Sequence, residues 1–156
     1  MEAHSTSPYP SKLNARVMSL PFSSHKFLLI DDSDIDSIIS SKILQLAGLP
    51  KQNVTIRHAM PALELLGAAN SLEGLGGVSE QSPLIILLDI HMPEMNGFAF
   101  LEEFDKMPAS VTDNCKVFLL TSSIDPTDIE RANQNRYVVR VLNKPLNVEE
   151  LLLFFE

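Results

Sequence analysis

From Lys26 onward, runs of consecutive apolar residues alternate with longer stretches in which apolar residues recur every three or four positions. Phe27-Leu28-Leu29-Ile30 is the first run, and it ends in Asp31-Asp32. A helix follows, its apolar residues Ile35, Ile38, Ile39, Ile43 and Leu46 at helical spacing, with Gly48 and Pro50 to stop it. Val54 and Ile56 alternate with Thr55 and Arg57, the pattern of a half-exposed edge strand. A second helix is predicted from near Pro61, fading into a flexible loop at Gly74, Gly76 and Gly77. Leu84 to Leu88 is apolar at every position, as in a strand buried on both faces, and Asp89 ends it. A third helix follows Gly97, with Phe98, Leu101 and Phe104 on one face. Val117 to Leu120 reads as another central strand, ending in Thr121. Asp125-Pro126 supplies an N-cap and a first-turn proline for a fourth helix. Val138 to Leu142 is the fifth strand, followed by Asn143-Lys144-Pro145. Asn147 and Glu150 make a capping-box-like start for a last helix that buries Val148, Leu151, Leu152 and Phe155.

Five strands alternating with five helices predict an α/β protein with a doubly wound parallel sheet and helices on both faces. Residues before Lys26 are rich in Ser, Pro and Asn without sustained periodicity, so residues 1–25 read as a loose leader ahead of a domain at 26–156. Met18 is a candidate start of translation, which the intact mass of the natural protein tests.

Composition narrows the function classes. The 156 residues suit one domain with one sizeable core. The net charge of −8 repels phosphate backbones and argues against nucleic-acid binding. No apolar run approaches the roughly 20 residues that cross a bilayer, and the N-terminus lacks the pattern of a signal peptide. Cys115, the only cysteine, excludes an internal disulfide and fits a reducing cytoplasm. In a strand-like stretch it reads as a small core residue rather than a nucleophile.

The chemistry lies at the strand ends. Asp31 and Asp32 end the first strand, Asp89 the third and Thr121 the fourth, and Lys144 follows the fifth. In an open α/β sheet such ends converge on one crevice where the strand order reverses. Any single Asp or Thr there is explained as a helix cap; all of them together are not. Three clustered carboxylates repel one another unless a cation sits among them. All-oxygen ligation with room for water favours Mg²⁺, with Asp32 and Asp89 as direct ligands and Asp31 acting through water. The Lys144 ammonium and the Thr121 hydroxyl then neutralise a transferring phosphoryl group, and Asp89 is placed as a carboxylate nucleophile.

Asp31-Asp32, the segment Leu87-Leu88-Asp89-Ile90-His91-Met92-Pro93-Glu94-Met95-Asn96-Gly97, Leu120-Thr121-Ser122-Ser123 and Asn143-Lys144-Pro145 resemble the signature of two-component response-regulator receiver domains. The resemblance spans about Lys26 to Glu156. It implies a flavodoxin-like fold with strand order 2-1-3-4-5 and Mg²⁺ held by Asp32, Asp89 and the backbone carbonyl of His91. It also implies phosphorylation of Asp89 by a histidine kinase or phosphotransfer protein, a switch hydroxyl on Thr121, a phosphate-binding Lys144 and a cis Lys144-Pro145 bond. No output domain follows Glu156, so signalling by docking to a downstream protein is expected, not turnover of a metabolite. Whether a second copy pairs with the chain is left open.

One position departs from the family. Many receivers carry an aromatic three residues before the lysine, where this chain has Val141, which cannot swing between inward and outward positions. His91 and Ser123 stand where relatives tune the lifetime of the acyl phosphate; the His91 ring is expected to be partly exposed. Two other readings compete. Asp32-Ser33-Asp34 imitates the first motif of haloacid-dehalogenase-type phosphohydrolases, but no strand-end acid follows Lys144 and the Asp89 strand is left without a role. A pseudo-receiver that only binds partners is kept alive by Val141.

Overall fold

The computed structural model describes residues 26–48, 53–68, 78, 82–123 and 125–155. In chain order it contains β1 (Phe27–Ile30), α1 (Asp34–Leu46), β2 (Asn53–Ile56), α2 (Ala59–Gly67), β3 (Leu84–Asp89), α3 (Gly97–Asp105), β4 (Cys115–Thr121), α4 (Pro126–Asn133), β5 (Val138–Asn143) and α5 (Val148–Leu152). A single helical turn at Ala109–Thr112 lies between α3 and β4, and α5 continues as a 3-10 turn over Leu153–Phe155. The strands form one parallel sheet in the order β2-β1-β3-β4-β5. The expected flavodoxin-like topology is therefore observed.

Successive strand residues point to opposite faces, so the all-apolar strands feed two cores. Leu28, Ile30, Ile86, Leu88, Val117 and Leu119 pack on α2 and α3. Phe27, Leu29, Ile85, Leu87, Phe118 and Leu120 pack against Leu44 of α1 and Val148, Leu151 and Leu152 of α5. At roughly 25 cal/mol per Å² of apolar surface removed from water, these two layers dominate the stability.

Local signals set the element ends, at Gly48, Asp125 and Asn147 as expected. Asn96 caps α3 by accepting from Ala99 N, Asp125 caps α4 by accepting from Thr127 N, and Asn147 caps α5 by accepting from Glu149 N. Gly48 ends α1 with a φ of 80°, the left-handed conformation that glycine adopts without penalty. Helix α2 begins at Ala59 rather than Pro61, and β4 begins at Cys115 rather than Val117. Cys115 is buried, and burial pushes its thiol up to about 12, consistent with an inert core residue. Pro50, Gly74, Gly76, Gly77, the side chain of Phe155 and residues 1–25 lie outside the described residues. Among the described residues no helix is long and apolar enough to cross a membrane.

Helix α1 turns most of its isoleucines outward. Ile35 and Ile38 are 71% and 68% exposed and Ile39 is also exposed, whereas Ser37, Ser40 and Leu44 face inward. The N-cap sets this phase. Ser33 Oγ accepts from Asp36 N, Ser33 N donates to Asp31 Oδ1, and Ser37 Oγ reaches the Asp31 carbonyl at 3.4 Å. Small serines let the helix lie close to the end of β1, a space that isoleucine side chains would overfill.

Candidate functional site

The sheet register aligns the chemical groups. Ile30 pairs with Leu88, which sets Asp31 and Asp89 at the same level one residue further on. Asp89 pairs with Leu120, and Thr121 pairs with Asn143. Lys144 N donates to the Thr121 carbonyl at 2.9 Å, tying the lysine loop to the end of β4. The β3–α3 turn is pinned in the same way, with Ile90 N donating to Leu120 O and Gly97 N to Ile90 O. Gly97 has a steric role here, because a Cβ at that position would lie 2.8 Å from the Asp89 carbonyl oxygen. Only glycine lets α3 start so close to the end of β3. Glu94 turns the loop with a φ of 69°, and the Lys144-Pro145 bond is cis, as the resemblance implies.

Asp31, Asp32 and Asp89 each offer a carboxylate oxygen within 4.8 Å of the others. Asp31 and Asp89 are buried, and Asp32 is half-buried. Burial pushes the Asp89 carboxyl up to about 6; Lys144 opposes the shift and Asp31 adds to it. Lys144 Nζ lies 2.8 Å from Asp31 Oδ2, 2.9 Å from Asp36 Oδ2 and 3.4 Å from Asp89 Oδ1. Burial pulls this ammonium toward deprotonation, but attraction to Asp31, Asp36 and Asp89 outweighs it and raises its pKa.

The contact with Asp31 is a close ion pair, its buried Oδ2 lying 2.8 Å from the ammonium. A buried carboxylate oxygen with a free lone pair, facing two further carboxylates, is a donor set that fits a hard divalent cation. Among the described residues, Asp31, Asp32 and Asp89 are the ones able to hold one.

Thr121 is buried at the end of β4, where its Oγ1 accepts from Ser123 N at 3.0 Å and keeps its own proton to donate. The His91 side chain is exposed, as expected, and its Nε2 lies 3.3 Å from Asp128 Oδ2 on α4. Val141 is half-buried and packs against the core on the α2 and α3 face.

The model of the response regulator receiver domain family matches residues 27–156. The chain belongs to this family. Among the receiver's relatives, the response regulator Rcp1 of Synechocystis is 26% identical over 80% of this chain and 79% of its own length. The sensor histidine kinase CheAY of Helicobacter pylori is 32% identical over 80% of this chain, which spans only 14% of that protein. A protein-glutamate methylesterase/protein-glutamine glutaminase of Agrobacterium fabrum is likewise spanned over only 20% of its length. Among solved structures, a response regulator receiver protein from Dyadobacter fermentans superposes with a TM-score of 0.70 at 30% identity, covering 85% of this chain and 98% of that one. A two-component response regulator from Cytophaga hutchinsonii gives 0.71 at 27% identity, covering 84% and 93%.

The receiver fold brings Asp31 and Asp89 into direct contact with Lys144, with Asp32 beside them. The haloacid-dehalogenase reading gains no support: Asp34, the second acid of its motif, is exposed and pairs with Arg57 at 3.0 Å, away from the cluster. The sequence reading missed Asp36. Its sequence signal is faint, an acid three residues after a serine N-cap, which reads as a helix-terminus charge and gives no hint of a partner 108 residues away.

Proposed function

We propose that this receiver domain is the phosphoacceptor of a phosphorelay, taking a phosphoryl group onto Asp89 from a phosphohistidine. The donor is a histidine kinase or a phosphotransfer protein, and a sensor histidine kinase stands among the relatives. The observation that carries the reading is the juxtaposition of Asp89 with the Lys144 ammonium and the carboxylates of Asp31 and Asp32.

In this reading Asp89 is the nucleophile. An oxygen of its carboxylate bonds to phosphorus, the bond from phosphorus to the donor imidazole nitrogen breaks, and the imidazole takes up a proton. Asp31, Asp32 and Asp89 would hold Mg²⁺, with the His91 carbonyl as the further ligand implied by the family. When bound, Mg²⁺ neutralises the clustered carboxylates and the oxygens of the transferring group. Lys144 holds one phosphoryl oxygen as a point charge, and the Thr121 hydroxyl donates to another. Burial of Asp89 excludes bulk water and strengthens both contacts.

The phosphoryl group adds about two negative charges beside Thr121. That charge biases the β4 end, α4 and the surface toward α5, so that a downstream protein docks differently to the two states. Val141 occupies the position where an aromatic would report the state, so the signal runs through the backbone and the Thr121 loop instead. The reading places the protein in the cytoplasm, where its donors act.

Reduction of the phosphorylated protein with borohydride converts an acyl-phosphorylated aspartate to homoserine. Peptide sequencing is expected to find that conversion at residue 89 and nowhere else. Conversion at Asp32 or Asp34 instead would overturn the assignment of the nucleophile.

A further inference from the structure

An ammonium group has three N–H donors, and Lys144 faces three carboxylates: Asp31, Asp36 and Asp89. The strand-end pattern accounts for two of them. Asp36 comes from the first turn of α1, and its Oδ2 accepts a hydrogen bond from Lys144 Nζ at 2.9 Å. Phosphorylation consumes the charge of Asp89, so a phosphoryl oxygen drawn to the lysine competes for it with the two remaining anions, Asp31 and Asp36.

These two are not equally easy to displace. The Asp31 side chain is 4% exposed, against 39% for Asp36. Releasing a buried carboxylate leaves an unpaired charge away from water, whereas Asp36 returns to solvent when it lets go. Room to separate is already present. Asp36 and Lys144 line a cavity of about 340 Å³ between α1 and the β5–α5 loop, together with Ile39, Ser40 and Pro145.

From this geometry we infer that Asp36 is a positioning residue: an exchangeable tether that holds Lys144 in the unphosphorylated domain and gives it up to the phosphoryl group. The inference rests on the phosphoacceptor reading of Asp89. It adds a competing anion on α1, so that phosphorylation breaks a link between the lysine loop and that helix. The tether weakens the phosphorylated state relative to the resting one. Removing its charge strengthens the hold of the site on a phosphoryl group.

The test is a beryllofluoride titration at saturating Mg²⁺ and low salt, on the full chain and its Asp36→Asn and Asp36→Glu variants. A partly exposed ion pair contributes up to about 1 kcal/mol, so Asp36→Asn is expected to bind roughly two- to fivefold more tightly than wild type. Asp36→Glu, which keeps the charge, is expected to stay close to wild type. The advantage of Asp36→Asn is expected to shrink toward equality at about 1 M salt, where charges a few ångströms apart are screened. A purely structural role for Asp36 would give looser binding or none of this salt dependence. Equal or weaker binding by Asp36→Asn at low salt overturns the tether while leaving the phosphoacceptor reading intact. Absence of any Mg²⁺-dependent beryllofluoride binding by the wild type overturns the phosphoacceptor reading itself, and the tether with it.

Discussion

Asp89 carries opposing demands. It is buried beside two further carboxylates, and its carboxyl is pushed up from 3.8 to about 6. A folded-state pKa above the unfolded value means that the native protein holds a proton where the unfolded chain has lost it. Stability from that protonation is present below about 3.8 and is lost as pH rises through about 6. In chelator, Asp89→Asn is therefore expected to be more stable than wild type by on the order of 2–3 kcal/mol at about pH 7.5, with little difference at about pH 4. Urea unfolding at the two pH values measures this, and equal midpoints at the higher pH would contradict it. Gly97 makes a different demand. A methyl group there meets the Asp89 carbonyl oxygen at 2.8 Å and Ile90 Cα at 3.1 Å, both backbone atoms that cannot rotate away. Gly97→Ala is expected to cost about 1–3 kcal/mol and to weaken Mg²⁺ binding, because relief of the clash moves Asp89.

Helix α1 separates what burial pattern and helix phase each decide. Leu44 is fully buried against the sheet, whereas Ile38 is largely exposed. Leu44→Ala is expected to lose about 2–5 kcal/mol, and Ile38→Ser to change stability by no more than about 0.5 kcal/mol. Chemical denaturation of the two variants checks the phase, and a larger loss for Ile38→Ser would contradict the outward placement of the isoleucines. The apolar spacing in the sequence does not decide that phase. Periodicity reports which residues share a face, but not which face the sheet takes, and α1 packs through Ser37 and Ser40 because close approach favours small side chains. The strands were legible because β1, β3 and β4 are apolar on both sides, a pattern that few alternatives to a central parallel strand explain. The strand-end groups Asp31, Asp89, Thr121 and Lys144 were legible for the same reason, since strand ends in such a sheet share one edge. Contacts made from helices were not. Asp36 with Lys144 and His91 with Asp128 join positions with no common sequence period, so only the packed fold brings them together.

Over the whole molecule, the two hydrophobic layers supply the stability, and the clustered carboxylates of Asp31, Asp32 and Asp89 work against it. Mg²⁺ is therefore expected to stabilise the wild type by mass action, by about 2.7 kcal/mol at a concentration one hundred times its dissociation constant. Asp32→Asn and Asp89→Asn are expected to lose most of that gain, read as a thermal midpoint that no longer rises with Mg²⁺. A midpoint that rises equally in all three proteins would place the cation elsewhere. The central claim is that this edge of the receiver takes a phosphoryl group on Asp89. Its most direct test is the intact mass of wild type and Asp89→Asn after incubation with acetyl phosphate, in Mg²⁺ and in chelator. The expected result is a labile gain of one phosphoryl group that requires both Mg²⁺ and Asp89. A wild-type protein that gains no mass in Mg²⁺, or an Asp89→Asn variant that gains as much, would contradict it.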